Sequence, residues 1–217
     1  MKLSSTLFTH GGQLPADCAF CCFDPIRRTR LSSNLNPQLS WSGAPQGTYS
    51  FALICHDPDA PSCSEEANRE GRPLPAAVPR VDFFHWLVFD LPAGLSEIRK
   101  GECPSQVVAH GQAAPPAPHG ARYGLNDFTE GTSGDHYGYD GPCPPWNDDI
   151  PHRYCFTLYA LDLEHLPVTG RPEPAAVIRA LHPHVLAETQ IVGLYSLNPA
   201  LRLAPISVGI EGRSPAK

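Results

Sequence analysis

The sequence predicts a mainly β protein, and three observations carry that expectation. Proline and glycine account for 25 and 18 of the 217 residues. Proline lacks a backbone donor and clashes with the preceding helical turn, so long helices are disfavoured and strands joined by turns are favoured. The clearest apolar segments are of strand length, rich in Phe, Tyr, Val, Ile and Leu, and bounded by Gly, Pro or Asn. Helical periodicity is convincing in one late stretch only.

In chain order, Asn34–Trp41 reads as a short strand entering the turn Gly43-Ala44-Pro45-Gln46-Gly47. Strands follow at Thr48–His56, Phe83–Leu91, His152–Asp162 and Thr189–Leu197. Ala175, Ala176, Ile178, Arg179 and Leu181 follow Pro172 and Pro174, where a helix begins, and Pro183 ends or kinks it before His184–Glu188. Two connections are long: Ser62–Val81, with one helical turn expected at Glu65–Glu70, and Cys103–Asp140. Loops of that length are commonly lids or binding loops, and a peripheral insertion is the plain alternative.

A chain of 23.5 kDa fits a single domain spanning residues 1–217. Its formal charge is −6, from 16 basic and 22 acidic residues, and no basic run exceeds Arg27-Arg28, which argues against a nucleic-acid partner. The longest apolar run, Phe83–Phe89, is interrupted by His85 and falls far short of the roughly 18 residues of a bilayer span, so no transmembrane segment is expected. Met1–Gly12 has no secretory apolar core, which suggests a cytoplasmic protein. In that compartment the eight cysteines are expected as reduced thiols, and the Cys18, Cys21, Cys22 cluster lacks the second pair that a zinc knuckle needs.

Dinucleotide, phosphate-loop, nucleophile-elbow and zincin motifs are all missing. What remains are polar residues at the ends of strong strands. Asp57 and Asp59 flank Pro58, which stiffens the backbone between two carboxylates. His85 lies inside Phe83-Phe84-His85-Trp86-Leu87-Val88, where a buried imidazole must find a partner; by itself it reads as a satisfied core histidine. The strand period of two puts His152 and Tyr154 on one face and Arg153 on the other. Just upstream, Gly141-Pro142-Cys143-Pro144-Pro145 is a stiff loop able to wall an anion pocket or to brace a corner.

The ordered motifs Asp57-Pro58-Asp59-Ala60-Pro61, His85-Trp86-Leu87-Val88 and Gly141-Pro142-Cys143-Pro144-Pro145 with His152-Arg153-Tyr154 resemble the phosphatidylethanolamine-binding protein family, also called Raf-kinase-inhibitor-like proteins. Asn36-Pro37, Leu39-Ser40-Trp41, Leu158-Tyr159-Ala160-Leu161-Asp162 and His184-Val185-Leu186-Ala187-Glu188 extend the likeness over roughly Asn34 to Leu197, and the Cys-Pro-Pro form of the loop looks bacterial.

The resemblance implies an antiparallel β-sandwich with long loops, one or two short helices near the C-terminus, and a preformed anion pocket at a sheet edge. It assigns Asp57, Asp59, His85, Gly141, Cys143, His152 and Tyr154 to the ligand, with Cys143 contributing its backbone N–H. The implied protein is a non-catalytic, regulatory binder of a small phosphate-containing anion such as a phosphate monoester or phospholipid headgroup. No cofactor or metal is called for, and a homodimer stays open. In that picture both imidazoles donate to the anion while Asp57 orients and charges a histidine through its other nitrogen. Two rivals remain: a phosphoester hydrolase using His85, His152 and a carboxylate as metal ligands or acid/base pair, and a scaffold with a vestigial pocket. The longer Ser62–Val81 segment and the Trp146–Pro151 insertion bear on ligand size.

Overall fold

The computed structural model of the chain describes residues 1–63, 65–103, 114–131 and 134–201. Its centre is a six-stranded sheet. Three long antiparallel strands form its middle, β6 (Ser50–Pro61), β7 (Arg80–Pro92) and β10 (His152–Leu161), with β11 (Val185–Tyr195) beside β10. The short strands β2 (Gly12–Gln13) and β9 (Arg122–Tyr123) close the two edges, and β2 runs parallel to β11. A second sheet of β1 (Lys2–Ser4), β5 (Leu39–Ser42) and β8 (Glu97–Ile98) stacks on one face. β3 (Cys21–Asp24) and β4 (Arg28–Leu31) form a separate hairpin.

The middle strands read as nearly unbroken apolar runs because both of their faces are covered. Phe51, Leu53 and Cys55 of β6, Trp86 and Val88 of β7, and Phe156 and Leu158 of β10 face a core shared with Leu3, Leu39, Trp41 and Ile98 of the small sheet. Ala52, Ile54, Leu87 and Phe89, at the alternate positions, face a second core. That core is completed by α2 (Pro174–Leu181), whose Val177 and Leu181 lie one turn apart and are fully buried. Pro174 occupies the first helical position, where its missing N–H costs nothing. α1 (Phe128–Gly131) is a single turn.

Three sequence expectations shift. β6 does not stop at His56: the Asp57–Pro61 segment stays paired with β7, through Ala60 and Val81 and through Pro61 and Arg80, by way of a bulge after Asp57. β11 begins at Val185, directly after a 3-10 turn at His182–His184, and its first half alternates half-buried and exposed residues with little apolar signal. Residues 65–68 make turns rather than a helix. Of the two long connections, residues 64, 104–113 and 132–133 lie outside the described residues, and with them part of the lid expectation.

The cysteines require a correction. Cys21 and Cys143 form a disulfide between residues 122 apart in sequence; Cys18, Cys22, Cys55, Cys63, Cys103 and Cys155 are free. The Phe20 and Cys21 N–H groups both donate to the Pro142 carbonyl, at 3.0 and 3.1 Å, and this brings the two Cα atoms within 4.8 Å. No local pattern around either cysteine announces that encounter. No helix among the described residues is long and apolar enough to cross a membrane.

Candidate functional site

Antiparallel pairing brings one end of each middle strand together. Cys155 of β10 sits opposite His56 of β6, and Asp57 of β6 opposite Phe83 of β7, so Asp57, His85, His152 and Tyr154 converge at the same rim. They line a cleft of about 270 Å³. Cys143, Pro144 and Pro145 form its loop wall, Phe83 and Phe128 an aromatic wall, and Ala67 and Asn68 from the long Ser62–Val81 connection complete it.

His152 is held between two carboxylates. Its Nδ1 lies 2.7 Å from Asp57 Oδ2 and its Nε2 3.0 Å from Asp148 Oδ2, and all three residues are buried. Burial pushes the imidazole pKa down, but the hydrogen bonds that its N–H groups donate to Asp148 and Asp57 outweigh it and raise the pKa to about 9. The ring is an imidazolium, and both its N–H groups are spent within the protein. Asp148 also takes Arg80 through both oxygens, at 2.6 and 3.0 Å. Burial opposes ionisation of Asp148, yet His152 and Arg80 together hold its carboxyl below the usual range. Two cations thus meet two anions, and the cluster is locally neutral.

His85 is the opposite case. Its Nδ1–H donates to the Asp140 carbonyl oxygen at 2.7 Å, while the Asp140 N–H donates back to the His85 carbonyl at 3.0 Å. A carbonyl can only accept, so the proton stands on Nδ1 and Nε2 is left free. Burial lowers the pKa despite the pull of Asp57, which keeps the ring neutral. Its ring centroid is 5.1 Å from Tyr154, 5.1 Å from Phe83 and 5.6 Å from Phe128. Tyr154 lines the cleft, and its buried hydroxyl has no hydrogen-bond partner among the described residues. Burial drives its pKa well above the ordinary phenol value, so it is a standing donor.

The loop is fixed from behind. Asn34, buried with φ 55°, a region Asn tolerates better than most residues, donates its amide to Asp140 Oδ1 and accepts the Gly141 N–H at 2.7 Å. Asn126 donates to the other Asp140 oxygen at 2.8 Å. Any side chain at Gly141 would place its Cβ 2.1 Å from the Cys18 carbonyl oxygen, which makes glycine obligatory there. With Gly141 and Pro142 so engaged, the Cys143 N–H is the loop donor left without a partner among the described residues.

The structure therefore gathers five of the seven residues singled out in sequence: Asp57, His85, Cys143, His152 and Tyr154. Asp59 turns away. Its carboxylate accepts the Arg153 backbone N–H, Nε and a guanidinium nitrogen at 2.8 to 2.9 Å, and these contacts hold its pKa low against the opposing effect of burial. Gly141 supports the loop without lining the cleft. Asp148 and Arg80 were missed, as were Asn34 and Asp140. The signals were thin: an acid four residues before a strand histidine, and one arginine in a polar stretch. Asp148 lies within the Trp146–Pro151 insertion, so that insertion shapes the histidine cluster as well as the rim.

The family model described as phosphatidylethanolamine-binding protein matches residues 4–196. A protein of Methanothermobacter thermautotrophicus named UPF0098 protein is 34% identical over 197 residues, covering 90% of this chain and 98% of that relative. The Escherichia coli UPF0098 protein YbhB is 32% identical, with 90% and 100% covered. Among solved structures, Escherichia coli YbcL, described as a new member of the mammalian PEBP family, superposes with a TM-score of 0.66 at 29% identity, covering 90% of this chain and 97% of that one. A putative phosphatidylethanolamine-binding protein homologue from Chlamydia trachomatis gives 0.62 at 26% identity, with 89% and 95% covered.

Proposed function

The chain belongs to the phosphatidylethanolamine-binding protein family, and from that premise we propose that it is a non-catalytic binding protein whose cleft holds a small phosphate-containing anion. The observation that carries this reading is the Tyr154 hydroxyl, a buried donor without a partner among the described residues, on a residue that lines the cleft. A buried unpaired hydroxyl costs about 1–3 kcal/mol, a cost that a bound acceptor removes. The Cys143 N–H adds a second donor, and Phe83, Phe128 and the two prolines offer apolar contact to whatever substituent the anion carries. No arginine or lysine among the described residues lines the cleft, and the net charge of −6 opposes approach of an anion, so affinity for a bare ion is expected to be weak.

The hydrolase reading loses its chemistry at His152. A metal ligand needs a free nitrogen lone pair and a general base needs an unprotonated one, whereas both nitrogens of this imidazolium are hydrogen-bonded to carboxylates. Cys143 offers no thiol nucleophile while it is bonded to Cys21.

Calorimetric titration with inorganic phosphate, on the native chain and on Tyr154→Phe, tests the proposal. Native binding should weaken about tenfold or more in the variant, the cost of one lost hydrogen bond to a charged group. Folding stability should stay level or rise, because the hydroxyl has no partner to lose. Equal phosphate affinity in the two proteins would remove Tyr154 from the site.

A further inference from the structure

The polar groups left without a partner on the residues that line the cleft are not all donors. Tyr154 O–H and Cys143 N–H donate, but neutral His85 presents Nε2 as an acceptor, because the Asp140 carbonyl fixes the ring proton on Nδ1. His152 cannot compensate, since Asp57 and Asp148 take both its N–H groups. An anion that offers only lone pairs would set one of them against that of His85. Resting on the anion-binding reading above, we propose that the cleft selects an oxyanion carrying its own proton, hydrogen phosphate or the monoanion of a phosphate monoester, over a tetrahedral anion that carries none, such as sulfate. The ligand hydroxyl donates to His85 Nε2 while its other oxygens accept from Tyr154 and Cys143.

His85 can itself supply the missing proton when the solution is acidic enough, so the selectivity is pH-dependent. The charged and titratable groups around it are few. Asp57 faces it from β6, His152 and Tyr154 from β10, and Asp140 from the loop, with His136 beyond Asp140 at 3.5 Å. Asp57 and Asp140 favour protonation of His85, while burial and His152 oppose it. Tyr154 stays protonated throughout, and His152 is already charged well above neutrality. The cleft group that gains charge on acidification is therefore His85, with burial holding its titration below the ordinary imidazole range.

The test compares sodium phosphate, sodium sulfate and methyl phosphate by calorimetry at matched ionic strength. At about pH 8, inorganic phosphate still carries a hydroxyl, whereas sulfate and the methyl phosphate dianion do not, since a monoester loses its second proton near about pH 6. Phosphate should then bind about tenfold or more tightly than either, the cost of leaving a buried polar group unpaired. On moving to about pH 5.5 the sulfate and methyl phosphate affinities should rise toward that of phosphate, by up to about tenfold per pH unit for one proton taken up. At the acid end, a tighter fit for methyl phosphate assigns the cleft to an ester through its apolar walls, and a tighter fit for phosphate assigns it to the free ion; either accords with the proposal. His85→Gln, whose amide can turn a donor toward the ligand, should abolish the preference for phosphate at the alkaline end. Equal affinities for phosphate and sulfate at about pH 8, with no change on acidification, overturn the proton requirement and leave anion binding standing. Binding of none of the three at either pH overturns both.

Discussion

Asp148 Oδ2 lies 3.0 Å from Nε2 of His152, and the same carboxylate holds Arg80 through both oxygens. This contact removes from the cleft the nitrogen that would otherwise be its obvious cationic donor, and it makes Asp148 a principal source of the histidine's charge. Asp148→Asn keeps the shape and deletes the charge. The His152 pKa is expected to fall from about 9 by about 1–3 units, the usual effect of a lost neighbouring countercharge. Stability should drop by up to about 3–5 kcal/mol, because Arg80 is left partly buried without its partner. Imidazole titration by NMR reads the first effect and urea unfolding the second. A His152 titration unmoved in the variant would show that Asp57 alone holds the charge.

The same pair sets a pH dependence of stability. A histidine whose folded pKa is about 9, against an ordinary value of 6.5, stabilises the fold fully below 6.5 and progressively less as pH climbs through 9. The two and a half units correspond to at most about 3–4 kcal/mol. Asp148 acts on the other side: its lowered pKa contributes stability above the ordinary carboxylate value that is lost as pH falls through the folded one. The urea midpoint should therefore plateau between about pH 5 and 6.5 and decline from about 7 to 9.5. His152→Gln should flatten the alkaline limb; an unflattened limb would assign it to another group.

The middle strands were legible because burial on both faces leaves runs such as Phe83–Phe89 almost wholly apolar, a signal that survives without any partner in view. The strands β1, β2, β8 and β9 span only two or three residues, too few for a period to emerge. β11 hid its start because an edge-proximal segment with one half-exposed face carries polar residues such as Glu188 and Gln190. At the site, the period of two sets His152 and Tyr154 on one face, and the Asp-Pro-Asp segment marks Asp57. What distinguishes Asp57 from Asp59 is the bulge between Asp57 and Ala60, which no side-chain pattern announces. Contacts made when a loop returns, such as Asp148 to His152 or Asn34 to Asp140, depend on closure of the whole sheet and have no local signature.

Gly141 tests the rigidity of the loop independently of ligand. Its missing Cβ is the space occupied by the Cys18 carbonyl, and backbone cannot yield as a flexible side-chain tip would. Gly141→Ala should destabilise the fold by about 1–3 kcal/mol or more, as forced overpacking does. It should also displace the neighbouring Cys143 N–H, so phosphate affinity falls alongside stability. Thermal unfolding and phosphate titration of one preparation check both, and a variant as stable as the native chain would mean that the backbone at Gly141 or Cys18 yields to make room for the methyl group.

The disulfide should matter more for stability than for binding. It joins residues 122 apart, so it restricts the unfolded chain severely, and removing such a bond costs about 2–4 kcal/mol in typical cases. The loop geometry has other anchors: the Gly141 N–H on Asn34, the Pro142 carbonyl under Phe20 and Cys21, and the reciprocal backbone bonds between Asp140 and His85. None of these passes through sulfur. Cys21→Ser is accordingly expected to lower the unfolding free energy by about 2–4 kcal/mol while changing phosphate affinity by less than about threefold. A non-reducing peptide map fixes the starting point, since Cys21 and Cys143 should appear in one linked species that separates on addition of a thiol. Alkylation of both residues in the untreated protein would eliminate the bond, and a loss of phosphate binding as large as that of Tyr154→Phe would show that the sulfur bridge, rather than the hydrogen bonds behind the loop, holds the Cys143 N–H in place.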